Sequence, residues 1–226
     1  MDLNRFELDG RGIFLYASDA PQILFLQPVD PHDTEYLERQ LDAMQGCAIP
    51  FALAAFEITN WNRELSPWEA PPVFSIDPFE GRADETLDFL TERLLPDLYT
   101  RLSLPEDIPL CLGGYSLAGL FSLWAATQTD RFCGIAAASP SVWFPGWLDY
   151  AKAHPIRASR VYLSIGDREE RARNPVMATV GACIREQYEI LRQDHLVTLE
   201  WNPGNHFQDV DKRCARAFCW IAEQQV

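Results

Sequence analysis

The sequence is short of positive charge. Against 33 aspartates and glutamates it sets 19 lysines and arginines, a formal net charge of -14. That field opposes long-range attraction to phosphate backbones and anionic lipid, so neither nucleic acid nor a membrane is expected as a partner. A long apolar run is missing at the start. Met1-Asp2-Leu3-Asn4-Arg5-Phe6-Glu7 carries two acids, which argues against a secretory signal or a membrane span and for a cytoplasmic protein. Metal-binding spacing is missing too. None of Cys47, Cys111, Cys133, Cys183, Cys214 and Cys219 forms a C-x-x-C pair or a zinc-finger pattern with histidine, so no metal and no cofactor are expected. Cys111 and Cys133 lie in apolar runs where a thiol acts as a small hydrophobe, and no disulfide framework is expected. Internal repeats and low-complexity segments are absent.

What is present suits one globular domain over residues 1–226. The chain is 47% hydrophobic and 23% charged, long enough for a large core and too short for a second comfortable one. Gly12–Ala17 and Gln22–Gln27 read as strands across the turn Ser18-Asp19-Ala20-Pro21, an opening hairpin. Thr34–Met44 reads as a polar helix, and the apolar run Phe51–Ile58 as a strand buried on both faces. Thr59–Gly81 is rich in Trp, Pro and Asn without a period, a long loop of the functional kind. From Ala83 the leucines at 87, 90, 94 and 98 mark one helical face, with a kink expected at Pro96.

Alternation follows. Strands are expected at Ile108–Leu112, Phe132–Ala138, Arg160–Ile165 and Leu196–Trp201, and helices at Leu117–Thr127, Pro175–Leu191 and Gln208–Ala222. Strand alternating with helix indicates an α/β fold, a mostly parallel, doubly wound sheet with helices on both faces.

The chemistry is signalled at Leu110-Cys111-Leu112-Gly113-Gly114-Tyr115-Ser116-Leu117-Ala118-Gly119. An apolar strand enters two glycines, a serine follows, and an amphipathic helix begins at once. This is the setting of a nucleophile elbow, where a strained turn lifts a serine hydroxyl above the sheet. The NH of Leu117, at the helix N-terminus, would face a developing oxyanion. Ala118 stands where the pattern G-x-S-x-G has its last glycine.

A serine nucleophile needs a base and an acid, in the chain order serine, acid, histidine. His206 follows the last strand and precedes the last helix, whereas His32, His154 and His195 fall elsewhere. The acid should follow the strand ending at Ile165, in Gly166-Asp167-Arg168-Glu169-Glu170. Glu169 is favoured because G-x-x-D/E is the usual acid position there; Asp167 is the alternative and Glu170 a third candidate.

With these pieces the chain resembles the putative-esterase family of α/β hydrolases, which includes siderophore (enterochelin) esterases, feruloyl esterases and S-formylglutathione hydrolase. The resemblance runs from about Ile23 onward. It is carried by Gly114 to Phe121, Ala138-Ser139-Pro140-Ser141-Val142-Trp143, Gly166 to Glu170, and Gly204-Asn205-His206-Phe207. It implies an α/β-hydrolase fold with no large lid domain, and a second oxyanion donor in Leu26-Gln27-Pro28-Val29. Pro28 has no NH to offer, and Val29 is the donor expected from the resemblance. The resemblance also suggests that Arg63 shapes the pocket, where a salt bridge bracing the long loop is an equal alternative. Trp61, Trp68, Trp143 and Trp147 fall in loops that would rim the serine and suggest an apolar or aromatic acyl pocket.

The expected activity is hydrolysis of a small carboxylic ester or thioester through an acyl-enzyme, by a monomer or homodimer. A non-catalytic binding protein of the same fold and an acyltransferase are the competing readings, with a peptidase behind them.

Overall fold

Ile23–Val29 and Phe51–Glu57 are buried along their whole length, as strands must be when helices cover both faces of a sheet. The computed structural model describes residues 3–73 and 76–225, and these two runs lie side by side near the middle of an eight-stranded sheet.

The strands of that sheet are β1 (Asn4–Leu8), β2 (Arg11–Ala17), β3 (Ile23–Val29), β4 (Phe51–Glu57), β7 (Leu110–Tyr115), β8 (Gly134–Ala138), β9 (Arg160–Gly166) and β10 (Leu196–Asn202). A separate two-stranded ribbon is made by β5 (Glu69–Ala70) and β6 (Phe79–Glu80). The order across the large sheet is β1-β2-β4-β3-β7-β8-β9-β10, with β3, β4 and β7 to β10 all parallel. Helices α1 (Thr34–Ala43) and α8 (Val210–Glu223) pack on one face. On the other lie α3 (Ala83–Phe89), α4 (Leu95–Leu102), α5 (Leu117–Gln128), α6 (Trp147–Ala153) and α7 (Val180–Leu191). This is the α/β-hydrolase architecture, without a large lid.

The opening hairpin is not formed by the two runs expected to pair. β2 pairs antiparallel with β4, Ile13 opposite Phe56, while β3 lies parallel between β4 and β7. The reason is burial: β3 is apolar on both faces and takes an interior position, which an edge hairpin cannot offer. The true hairpin is β1 with β2, closed by Asp9 and Gly10 at φ 51° and 80°. Asp-Gly is the dipeptide that this tight turn favours, since both central residues need positive φ.

Cysteine pairing also departs from expectation. Cys47 and Cys219 form a disulfide across 172 residues, with their Cα atoms 4.9 Å apart. No local spacing announces it, because the packing of α1 and its following turn against α8 creates the proximity. Cys111, Cys133, Cys183 and Cys214 are free thiols.

The leucines at 87, 90, 94 and 98 are buried as their spacing requires. Their helix is interrupted by a π turn over Leu90–Leu94, just before Pro96. Proline lacks an NH and its ring crowds the carbonyl four residues back, so the turn widens there. The long loop holds a short helix α2 (Trp61–Glu64) besides the ribbon, and α6 arises in a stretch without an assigned element. Among the described residues no helix is long and apolar enough to cross a membrane.

Because the six parallel strands point the same way, the loops following β7, β9 and β10 emerge at one edge of the sheet. That edge is where open α/β sheets hold ligands, and it carries Ser116, Glu169 and His206.

Candidate active site

Ser116 sits between β7 and α5 with φ 58° and ψ -119°, a conformation that a non-glycine residue holds only when its surroundings impose it. The turn is pinned on both sides. The Ser116 NH donates to Ala138 O at 3.1 Å, and its carbonyl accepts from the NH groups of Leu120 and Ser141 at 3.1 and 3.0 Å. Position 114 must be glycine, since a Cβ there would come within 2.6 Å of the Ala118 Cβ. The elbow thus tolerates alanine at 118 because glycine occupies 114.

The hydroxyl of Ser116 is 3.0 Å from His206 Nε2, and His206 Nδ1 is 2.7 Å from Glu169 Oε2. Glu169 lies in the 3-10 turn after β9 with its side chain 2% exposed. Its other oxygen, Oε1, accepts from the Ser139 hydroxyl at 2.8 Å, the Gly166 NH at 2.7 Å and Arg213 Nη1 at 3.1 Å. Gly166 admits this approach, as a Cβ there would meet Glu169 Oε1 at 2.9 Å. Burial pushes the Glu169 carboxyl up, but the His206 hydrogen bond and charge, with the Gly166 and Ser139 donors, outweigh it and hold the group below the usual glutamate value.

The competing acids are engaged elsewhere. Asp167 Oδ1 accepts the Gly204 NH at 2.8 Å, bracing the histidine loop from outside with a side chain 55% exposed. Glu170 pairs with Arg185 at 3.4 Å. Of the other histidines, His154 and His195 bond to Tyr150 O and Ala158 O, and His32 is an exposed loop residue.

Leu117 opens α5, so its NH has no acceptor one turn earlier in the helix. Val29 is the last residue of β3. Continuing the parallel register that sets Leu26 opposite Leu112 brings Val29 level with Tyr115, next to the elbow. The aromatic residues separate. Trp61 is half-buried and borders a small cavity with Val29 and Tyr115. Trp143 is largely buried, and Trp147 is fully buried with its indole NH donating to Gln187 Oε1 at 2.6 Å. Trp147 therefore presents no surface to a ligand in this conformation. Trp68 donates to Pro145 O at 2.9 Å within the aromatic cluster of Phe144, Trp147 and Tyr150. Arg63 bonds Glu80 and Glu85, each at 3.1 Å, bracing the long loop.

Five further residues converge on the site. Ser141 Oγ is 3.2 Å from Ser116 Oγ. Ser139, at φ 41°, holds Glu169. Tyr115 donates its hydroxyl to His206 O at 2.8 Å, and Arg213 reaches both Glu169 and the Tyr115 hydroxyl. Phe207, 83% exposed, sets its ring edge-to-face against the His206 imidazole. The serines lie within a stretch already singled out by sequence, but Arg213 had no local signal beyond standing one turn before Ala217 on the apolar side of its helix.

A hydroxyl bonded to an imidazole that is backed by a buried carboxylate can lose its proton as it attacks a carbonyl. Among solved structures, an IroE-like serine hydrolase from Shewanella oneidensis superposes with a TM-score of 0.81 at 15% identity, over 100% of this chain and 81% of that one. The siderophore hydrolase EstA from Aspergillus nidulans gives 0.69 at 18% identity, over 99% and 95%. The enterobactin esterase FES from Shigella flexneri gives 0.71 at 16% identity, over 100% of this chain but 60% of that one. No curated protein matches by sequence. The model of the family described as putative esterase matches residues 41–197, a span that includes Ser116 and Glu169 and stops short of His206. With well over half its length inside that match, the chain belongs to the putative-esterase family, on an α/β-hydrolase fold.

Proposed function

We propose that this protein is a serine esterase that hydrolyses a small carboxylic ester or thioester through an acyl-enzyme. Ser116 attacks the acyl carbonyl. His206 takes the hydroxyl proton and returns it to the departing alcohol or thiol, after which water enters by the same route in reverse. Glu169 fixes the imidazole tautomer and stabilises the imidazolium. The NH groups of Leu117 and Val29 are the oxyanion donors. The chemistry needs no cofactor, and a single chain supplies every group.

The observation that carries this reading is the unbroken contact from Ser116 through His206 to Glu169, at 3.0 and 2.7 Å, with the serine held at positive φ. The substrate class draws support from the relatives, named as siderophore hydrolases and an enterobactin esterase, and from Phe207 and Trp61, which offer aromatic surface beside the histidine and the elbow. The net negative charge favours a neutral or cationic substrate.

A fluorophosphonate probe tests the reading. It should label the folded wild-type protein on Ser116 and leave Ser116→Ala unlabelled; an unlabelled wild type would identify a binding protein instead. A screen of nitrophenyl esters and thioesters, varied in acyl length and aromaticity, then assigns the substrate.

A further inference from the structure

Arg213 is an expensive residue to find where it is. Its side chain is 2% exposed, on the first turn of α8, and its Nε has no hydrogen-bond partner. Desolvating a guanidinium costs several kcal/mol before any pairing is counted, and an apolar side chain of similar volume would fill the space without that penalty. Stability alone therefore does not account for it.

Its contacts form a closed circuit around the histidine. Nη1 is 3.1 Å from Glu169 Oε1 and 2.9 Å from the Tyr115 hydroxyl. Glu169 holds the His206 ring at Nδ1, and the Tyr115 hydroxyl donates to the His206 carbonyl at 2.8 Å. Nη2 donates to Pro203 O at 3.0 Å, three residues before the histidine. One guanidinium is thus linked to the imidazole, to the backbone that carries it, and to the start of its loop.

We propose that Arg213 is a positioning residue for His206, acting on the ring through Glu169 and on the loop backbone through Tyr115 and Pro203. This rests on the serine-esterase reading. The loop holding His206 is braced at Gly204, whose NH donates to Asp167 and whose carbonyl accepts from the Arg168 NH, while the carbonyl of His206 itself is held by the Tyr115 hydroxyl. Without the circuit the imidazole would keep its acid but lose its fixed approach to Ser116. Displacements near 1 Å at a reacting group cost roughly a hundredfold in rate.

The circuit has an electrostatic consequence. Glu169 shares its charge between His206 and Arg213, so the cation partly offsets the field that favours the imidazolium. The other groups facing the loop are Asp167 and Arg168 after β9 and Tyr115 at the end of β7, which has Cys214 of α8 near it. Of these Arg213 alone bonds the carboxylate that holds the ring. Removing it leaves His206 as the one charged partner of Glu169.

The test is the pH profile of kcat/KM on a nitrophenyl ester for the wild type, Arg213→Met, Arg213→Lys and Tyr115→Phe, with probe labelling of Ser116 run on separate samples of each. In Arg213→Met the acid limb should move up, since a cation bonded to the acid is lost, with kcat down at least tenfold. Arg213→Lys should keep the limb in place while kcat falls, because the charge stays and the fork geometry is lost. Tyr115→Phe should lower kcat severalfold with KM unchanged. A folded Arg213→Met with an unmoved limb overturns the proposal while Ser116 labelling leaves the esterase reading standing; an unlabelled wild type removes both. If Arg213→Met does not fold, an unaltered kcat in Tyr115→Phe overturns it equally.

Discussion

Gly114 and Ala118 divide one small space between them: a Cβ on the glycine would lie 2.6 Å from the Cβ that the alanine already has. The volume at the base of the elbow is therefore a property of the pair. Gly114→Ala should cost about 1–3 kcal/mol by overpacking and lower kcat about a hundredfold, because the strain is relieved by shifting Ser116. Ala118→Gly should be nearly neutral in rate. The double variant should recover most of the loss, since residues in contact couple. Urea denaturation and ester hydrolysis on the four proteins give the coupling; additive losses would show that the two positions do not share the space.

The acid can be assigned by kinetics. Glu169→Gln should cut kcat by about three to four orders of magnitude, since the amide no longer stabilises the imidazolium. Asp167→Asn should lose severalfold at most, its role being a hydrogen bond to the Gly204 NH. Ser116→Ala and His206→Ala should each abolish turnover. The reverse ranking of the two acid variants would transfer the role to Asp167.

Acid stability follows from the same carboxylate. Glu169 is held below its ordinary value of 4.5 in the folded state, so the folded protein favours the ionised form more than the unfolded chain does. Its stabilisation is complete above about pH 4.5 and is lost as pH falls through the lower folded value. Thermal melts from pH 6 to 3 should show Glu169→Gln with a flatter acid slope than the wild type. Parallel slopes would mean that Glu169 is not preferentially ionised by folding.

Thiol counting tests the disulfide. Denatured without reductant, the protein should show four reactive thiols, and six after reduction. In the native state Cys111 and Cys214 should be inert, being fully buried, with burial pushing the Cys214 thiol up to about 12. Cys47→Ser should cost about 2–5 kcal/mol, given the 172-residue loop. Disulfides persist in oxidising compartments, so six thiols in protein quenched directly from cells would favour the cytoplasmic placement and four would oppose it.

The strand, the double glycine and the helix around Ser116 are contiguous, so a local pattern was enough to expose the elbow. Hydrophobic periodicity likewise determined most of the strands and helices, because each must bury one face whatever its neighbours are, and the placement of His206 after the last strand followed from chain order. Tertiary structure alone decided the rest. Asp167, Glu169 and Glu170 stand within four residues in one polar loop, and only the 3-10 turn after β9 brings Glu169 under the imidazole. β3 could not be placed between β4 and β7 from its own apolar run, which suits any interior position. Cys47 with Cys219, and Arg213 with Tyr115 and Glu169, meet across 172, 98 and 44 residues. Such contacts leave no periodic trace in the chain, because they are made by packing α8 against α1 and against the ends of β7 and β9.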